Sequence, residues 1–293
     1  MKKVIASHLI RASTHFAHGG LFVVDVETGK YDKVFDWDED IDHTGRAGDR
    51  GLRGISVYND RIYVASANNL LIFNRDFKLI NRINNQYLGA CHETMIFQDK
   101  LYIVSTGFDS IIVYDIKEEK FSHGFLVRGK RAVQFDCLKP NQIRRRDSKH
   151  FNSICNFNNN IYCSGTGVKN LLKLGATLEG FITIPAGTHN CYIMNKNEII
   201  MNDTRSNRII IKNRKGVIVK SAGVLKVNCK KVVRERIAKQ PFARGLVFDE
   251  KYVVGGSSPG MVSVYDRNTL KNIKNIIMSK DIRMSIHGVD ILE

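Results

Sequence analysis

The chain has 293 residues, 43% of them hydrophobic, enough for a sizeable core in one large domain or two smaller ones. No stretch approaches the ~20 apolar residues of a membrane span. The 45 basic against 29 acidic residues leave a net charge of +16, which implies an anionic partner or a basic background.

The first element in chain order is a short apolar run, residues 2–8 (KKVIASH). His8 and Arg11 break it too early for a signal peptide, so it reads as a strand. Two more strands follow, GGLFVVDVETG from Gly19 and YDKVFDWD from Tyr31. These three do not make a complete unit. From Arg53 onward a complete unit does recur: a His or Arg opens a short strand, a polar turn follows, then an apolar strand ending in small residues, then another strand. The units open at Arg53, His92, His150, His189 and Arg244, and a last one, HGVDILE, opens at His287 and runs out of chain. The turns Asn59-Asp60, Gln98-Asp99, Asn158-Asn159-Asn160 and Asp249-Glu250 are polar breakers between runs rich in Val, Ile, Tyr and Phe, as hairpins require. Residues 232–239 are the sole helix candidate, ended by Gln240-Pro241.

Five units and a split sixth predict an all-β, six-bladed β-propeller in a single domain, 1–293. Residues 286–292 should pair beside residues 3–8 and close the ring. A β-sandwich or barrel would have similar strand spacing but would not explain matched units or the split one. The six cysteines form no C-x-x-C pair and several sit inside predicted strands, so buried free thiols in a cytoplasmic protein are expected.

In a propeller the first strand of each blade lines the axis, so Arg53, His92, His150, His189, Arg244 and His287 should cluster at one channel mouth. The alignment is open by one or two residues: in the third unit hairpin spacing favours Asn152 over His150, and both can point the same way because side chains along a strand repeat every two residues. Asn190 competes likewise with His189, and Ala243 with Arg244. Loops between second and third strands add His8, Arg11, His15, His18, Asn68, Asp109, Asp203, Arg205 and the turn Gly255-Gly256-Ser257-Ser258 to that face. A single channel histidine is readily explained as a hydrogen-bonded structural group. The set is not, because Ser, Thr or Asn would plug a channel equally well.

Spacings between the opening residues alternate: 39, 58, 39, 55 and 43 residues. Three insertions should therefore reach the same face at every second blade. Residues 122–149 carry eight basic and two acidic residues, and residues 220–241 seven and one, +6 each. Residues 36–52 carry six acidic and two basic residues, −4, giving two basic walls and one acidic one.

Six units, a split terminal blade and His, Asn and Arg at first-strand starts resemble the six-bladed propeller class that includes the gluconolactonase, paraoxonase and NHL-repeat families. The chain is also similar to bacterial propellers that accompany polysaccharide gene sets. The first resemblance implies a divalent metal at the channel mouth, held by a carboxylate and amides. Glu93, Asn152 or Asn190, and Asp203 stand at the matching positions, while arginines and histidines at most strand starts depart from that pattern. A transition-metal site from His92, His189 and His287 is the other metal reading.

No P-loop, dinucleotide glycine pattern, G-x-S-x-G or H-E-x-x-H is present in the sequence. The basic loops offer mainly Phe125, Phe135 and Phe242 as aromatics, which argues against nucleic acid. The expected function is binding, and conversion, of a small anionic metabolite such as a carboxylated or phosphorylated sugar. Arg53 and Arg244 would clamp the anion, with His150, Asn152, Asn190 and Arg205 beside it, and His92, His189 or His287 would act as acid or base. The alternative is a non-catalytic scaffold that holds an acidic protein or polymer on its basic insertions.

Overall fold

The computed structural model describes residues 1–13, 18–38, 51–229 and 238–293. The polar breakers do make tight hairpins: Asn59, Gln98, Asp99, Asn158 and Asn159 all take positive φ, the left-handed geometry that matches strand twist. The apolar runs between them pair into six antiparallel sheets, five of four strands and one of five. The inner strands are Ile55–Tyr58, Cys91–Phe97, Phe151–Phe157, His189–Ile193, Arg244–Phe248 and Met284–Ile291, one per blade, numbered 1 to 6 in that order. Each touches the next and the last touches the first, so the six form a closed ring around an axis.

Blade 6 is the split one, with strand order Met284–Ile291, Lys3–Ile10, Gly19–Asp25 and Tyr31–Trp37. Val4 lies opposite Ile291, Ala6 opposite Val289 and His8 opposite Ile286, the closure predicted for 3–8 and 286–292. Lys3–Ile10 is thus a largely buried strand of blade 6, as the sequence predicts.

The core lies between blades rather than within one. Each of six buried clusters joins two neighbours: Leu70 and Ile72 of blade 1 meet Ile103 and Ile112 of blade 2, and Val254 and Val262 of blade 5 meet Val4 and Phe22 of blade 6. Trp37 and Leu21 of blade 6 meet Ile62 and Phe73 of blade 1. Burial of this kind stabilises by roughly 25 cal/mol per Å² of apolar surface, and it requires every blade to have two neighbours. None of the six cysteines forms a disulfide, and five are buried. No helix among the described residues is long and apolar enough to cross a membrane.

The insertions differ from plain loops. Residues 122–128 belong to Lys120–Arg128, the fourth strand of blade 2, and Arg131–Phe135 pairs with it as a hairpin that adds a fifth strand. Residues 39–50 of the acidic insertion, 230–237 of the second basic one, most of the helix expected at 232–239, and His15 lie outside the described residues.

Candidate functional site

The channel mouth is built by a repeated irregularity. In five blades one ladder carries an extra residue where the inner strand starts: between Cys91 and Thr94, Phe151 and Ser153, His189 and Cys191, Arg244 and Leu246, and at His287 between Ile286 and Gly288. A bulge breaks the two-residue alternation and re-aims side chains. Successive residues such as His92 and Glu93, or His189 and Asn190, can then both face the axis at different depths.

Four histidine rings meet at the mouth. The His92 ring centroid is 5.2 Å from that of His150, 5.3 Å from that of His287 and 6.5 Å from that of His189. Blades 2 and 4 hold their histidines in the same way. His92 Nδ1 lies 2.8 Å from the carbonyl oxygen of Ala90 and 2.8 Å from Thr106 Oγ1. His189 Nδ1 lies 3.1 Å from the Gly187 carbonyl and 3.1 Å from Thr204 Oγ1. Both threonine hydroxyls donate to a further carbonyl, of Phe151 and Ala243. A carbonyl only accepts, so each Nδ1 carries the proton and each Nε2 keeps its lone pair. Burial, reinforced by Arg53 and Arg244 at His92 and by Arg244 at His189, pushes both well below the usual imidazole value. His287 is also held well below it by burial and Arg244, and its Nε2 accepts from Arg244 Nη1 at 3.0 Å. These three rings are therefore neutral near pH 7, which suits bases or ligands rather than acids.

His150 sits outermost, half-buried, with φ of +50° and its Nδ1 2.9 Å from Asp147 Oδ1. Its position depends on Asp109, a fully buried carboxylate. Asp109 accepts from Ser148 N at 3.0 Å, Ser148 Oγ at 2.6 Å, Lys149 N at 3.0 Å and His150 N at 3.2 Å. Asp109→Ala should leave these donors without their acceptor, lowering stability by about 2 kcal/mol or more in denaturant unfolding. Asp109→Asn, which keeps one acceptor oxygen, should lose less.

Three arginines share the mouth. Arg11 and Arg244 place their guanidinium carbons 4.9 and 4.8 Å from the ring centroid of Phe242. Arg53 Nη1 donates to the Cys91 carbonyl at 3.2 Å. Burial and the neighbouring Arg53 lower Arg11 to about 10, and burial with Arg11 and Arg53 holds Arg244 well below the usual arginine value. Beside them opens a cavity of about 460 Å³ lined by His150, His189, Arg205, Lys239, Phe242 and Arg244, among others.

The remaining predicted residues lie elsewhere. Asn190 is deeper: its Nδ2 donates to Glu93, and its Oδ1 accepts from Asn202 Nδ2 at 3.2 Å and Gly245 N at 3.0 Å. Glu93 also accepts from the Tyr192 hydroxyl at 2.9 Å, and desolvation raises its pKa to about 8. With Asp290 it lines a second cavity, about 430 Å³, at the other end of the channel. Asn152 donates to the Thr188 carbonyl at 3.1 Å. Asp203 is buried in an ion pair with Arg208 at 2.9 Å. Glu93 and Asp203 are thus each engaged by protein groups and do not come together with the histidine cluster. His8 packs on Phe22, and His18 lies near Ser13 and Trp37.

Sequence reading missed the partners: Thr106, Thr204, Asp147 and the wall formed by Phe242. One signal was available. Thr106-Gly107-Phe108-Asp109 and Thr204-Arg205-Ser206-Asn207 both follow a second strand, and both form a one-turn 3-10 helix closed by a left-handed Asp or Asn.

No family model matches the chain, and no curated protein is significantly similar to it. Solved structures resemble it in fold. One is a nidogen/laminin complex, with TM-score 0.61 and 10% identity over 98% of this chain and 97% of that one. Apo AztD from Citrobacter koseri gives TM-score 0.55 and 10% identity over 99% and 98%. A catalytically inactive histidine variant of virginiamycin B lyase from Staphylococcus aureus, with quinupristin, gives 0.50 and 13% over 83% and 75%. At such identities the likeness is one of fold alone.

Proposed function

We propose that the basic channel mouth binds a small anionic molecule, a carboxylated or phosphorylated metabolite of the acidic-sugar kind. One observation carries the reading. Arg11, Arg53 and Arg244 are brought together at the mouth, and among the described residues no carboxylate pairs with Arg11 or Arg244. Arg244 is half-buried, and its buried Nε has no partner among the described residues. Like charges drawn partly out of water repel one another and lose hydration, a cost that an anion would offset. Guanidinium groups match carboxylate and phosphate with two parallel hydrogen bonds. Phe242 offers a flat apolar wall for a ring, and the neutral imidazoles offer bases for its hydroxyls. Arg144, Arg145 and Arg146, on which an acidic-polymer scaffold would rely, are exposed, and Arg145 leans on Phe108 at 5.7 Å.

The test is calorimetric titration with inorganic phosphate, glucose 6-phosphate and galacturonate. At least one should bind, with affinity falling as salt rises, and Arg244→Met should weaken it about 10-fold or more. The same substitution should raise the melting temperature of the anion-free protein, because it removes a charge that Arg11 and Arg53 repel. A variant that melts lower and binds the anion with unchanged affinity would sink the reading.

A further inference from the structure

The geometry points to a transition-metal site held by His92, His150 and His189 at the floor of the basic mouth. One ring nitrogen from each of these residues lies within 4.8 Å of the other two. Three further features favour Nε2 as the donor atom and these three rings as the ligand set.

First, each Nδ1 is already committed, to the Ala90 carbonyl, to Asp147 and to the Gly187 carbonyl. Histidines that bind metals through Nε2 nearly always donate Nδ1–H to a carbonyl or carboxylate in this way, which fixes both tautomer and ring orientation. Second, His189 Nε2 is buried and has no hydrogen-bond partner among the described residues. A buried polar atom without a partner costs free energy that a ligand would remove. Third, the ring that might compete is occupied. His287 Nε2 accepts from Arg244, which excludes His287 from the metal set in favour of His150.

The donor set also narrows the metal. Three imidazoles with no thiolate or carboxylate suit zinc, iron(II), cobalt(II), nickel or copper rather than calcium or magnesium. Three protein ligands leave a coordination position open, as in catalytic zinc sites. In a tetrahedral site with metal–nitrogen bonds of about 2.05 Å the nitrogens stand about 3.3 Å apart. The histidines must therefore draw in by up to about 1.5 Å on binding, a shift the outer, half-buried His150 can supply. The nearby guanidiniums oppose a dication, and an anion on the open position would balance them. Only that last step rests on the anion reading above.

The experiment uses full-length, chelator-treated protein in anion-poor buffer, titrated with Zn2+ by calorimetry and with Co2+ by visible absorption. One metal per chain should bind, and Co2+ should show the intense bands of low-coordinate cobalt. His92→Ala, His150→Ala and His189→Ala should each weaken binding by about 100-fold or more, and Asp147→Asn by about 10-fold. His123→Ala, a change on the outer part of blade 2, should have no effect. Circular dichroism melts report whether each variant folds, and His189→Gln, closer in shape, repeats the measurement should the alanine variant fail. Absence of saturation at one metal per chain, or wild-type affinity in folded His150 and His189 variants, overturns the site. A parallel phosphate titration on metal-free protein separates the two proposals. Loss of metal binding with phosphate binding retained and dependent on Arg244 removes this site alone. Metal binding without phosphate binding removes the anion reading alone.

Discussion

A chain lacking residues 287–293 is expected to have no cooperative unfolding transition. Those residues are most of the inner strand of blade 6. Without them Lys3–Ile10 loses its partner from Val4 to Ser7, together with the bonds from Lys2 N to Glu293 O at 2.8 Å and from Leu292 N to Lys3 O at 2.9 Å. Two interblade cores lose members as well, Val289 toward blade 5 and Leu292 toward blade 1. The damage is not local. An open ring leaves two blades with one neighbour each and exposes the edge of Lys3–Ile10, an invitation to aggregation. A milder variant makes the same point. Gly288 packs so closely that an added Cβ would lie 2.2 Å from the Arg53 carbonyl, so Gly288→Val should force blades 6 and 1 apart and destabilise strongly. Far-UV circular dichroism melts of both variants check this. A truncated chain that melts within about 5 °C of full length would mean that closure contributes little.

The blades were legible in the sequence because hairpin chemistry and apolar alternation are local, and the split blade because neither terminus completes a unit. The depth of each channel residue was not legible. An alignment open by one or two residues leaves His150 against Asn152 and His189 against Asn190 for the same place. The bulges let both members of each pair serve: His150 and His189 at the mouth, Asn152 and Asn190 bonded deeper in the channel. Partnerships across the ring were equally hidden. Glu93 meets Asn190 and Tyr192, which are 97 and 99 residues away, and nothing local marks that contact. Nor does spacing reveal that His287 and Arg244, expected to act separately, bond to each other at 3.0 Å.

Stability of the metal-free protein is expected to peak near pH 6.5–7 and to fall on both sides for different reasons. On the acid side four histidines decide. His8 is pushed down to about 4, and His92, His189 and His287 well below 6.5, so the unfolded chain takes up protons that the folded one refuses. Stability is lost as pH falls below 6.5. Glu93 and Asp290 act in the opposite direction, because burial raises them to about 8 and about 6. Their folded forms hold a proton that the unfolded chain has released, so each is worth less as pH rises through its window. From about 4.5 to 6.5 the four histidines outweigh the two carboxyls. The unfolded histidines finish releasing their protons by about pH 7.5, and above the peak the loss from Glu93 outweighs their remaining gain until about pH 8. A tenfold change in proton affinity is worth about 1.4 kcal/mol, so Glu93 can cost the fold several kcal/mol across its whole window. Glu93→Gln isolates that contribution. The amide fits the same space, still accepts from Tyr192 and Asn190, and never ionises. Its melting temperature should gain steadily on that of the wild type from pH 6.5 to 8.5. Parallel curves for the two proteins over that range would show that Glu93 does not retain its proton in the folded channel.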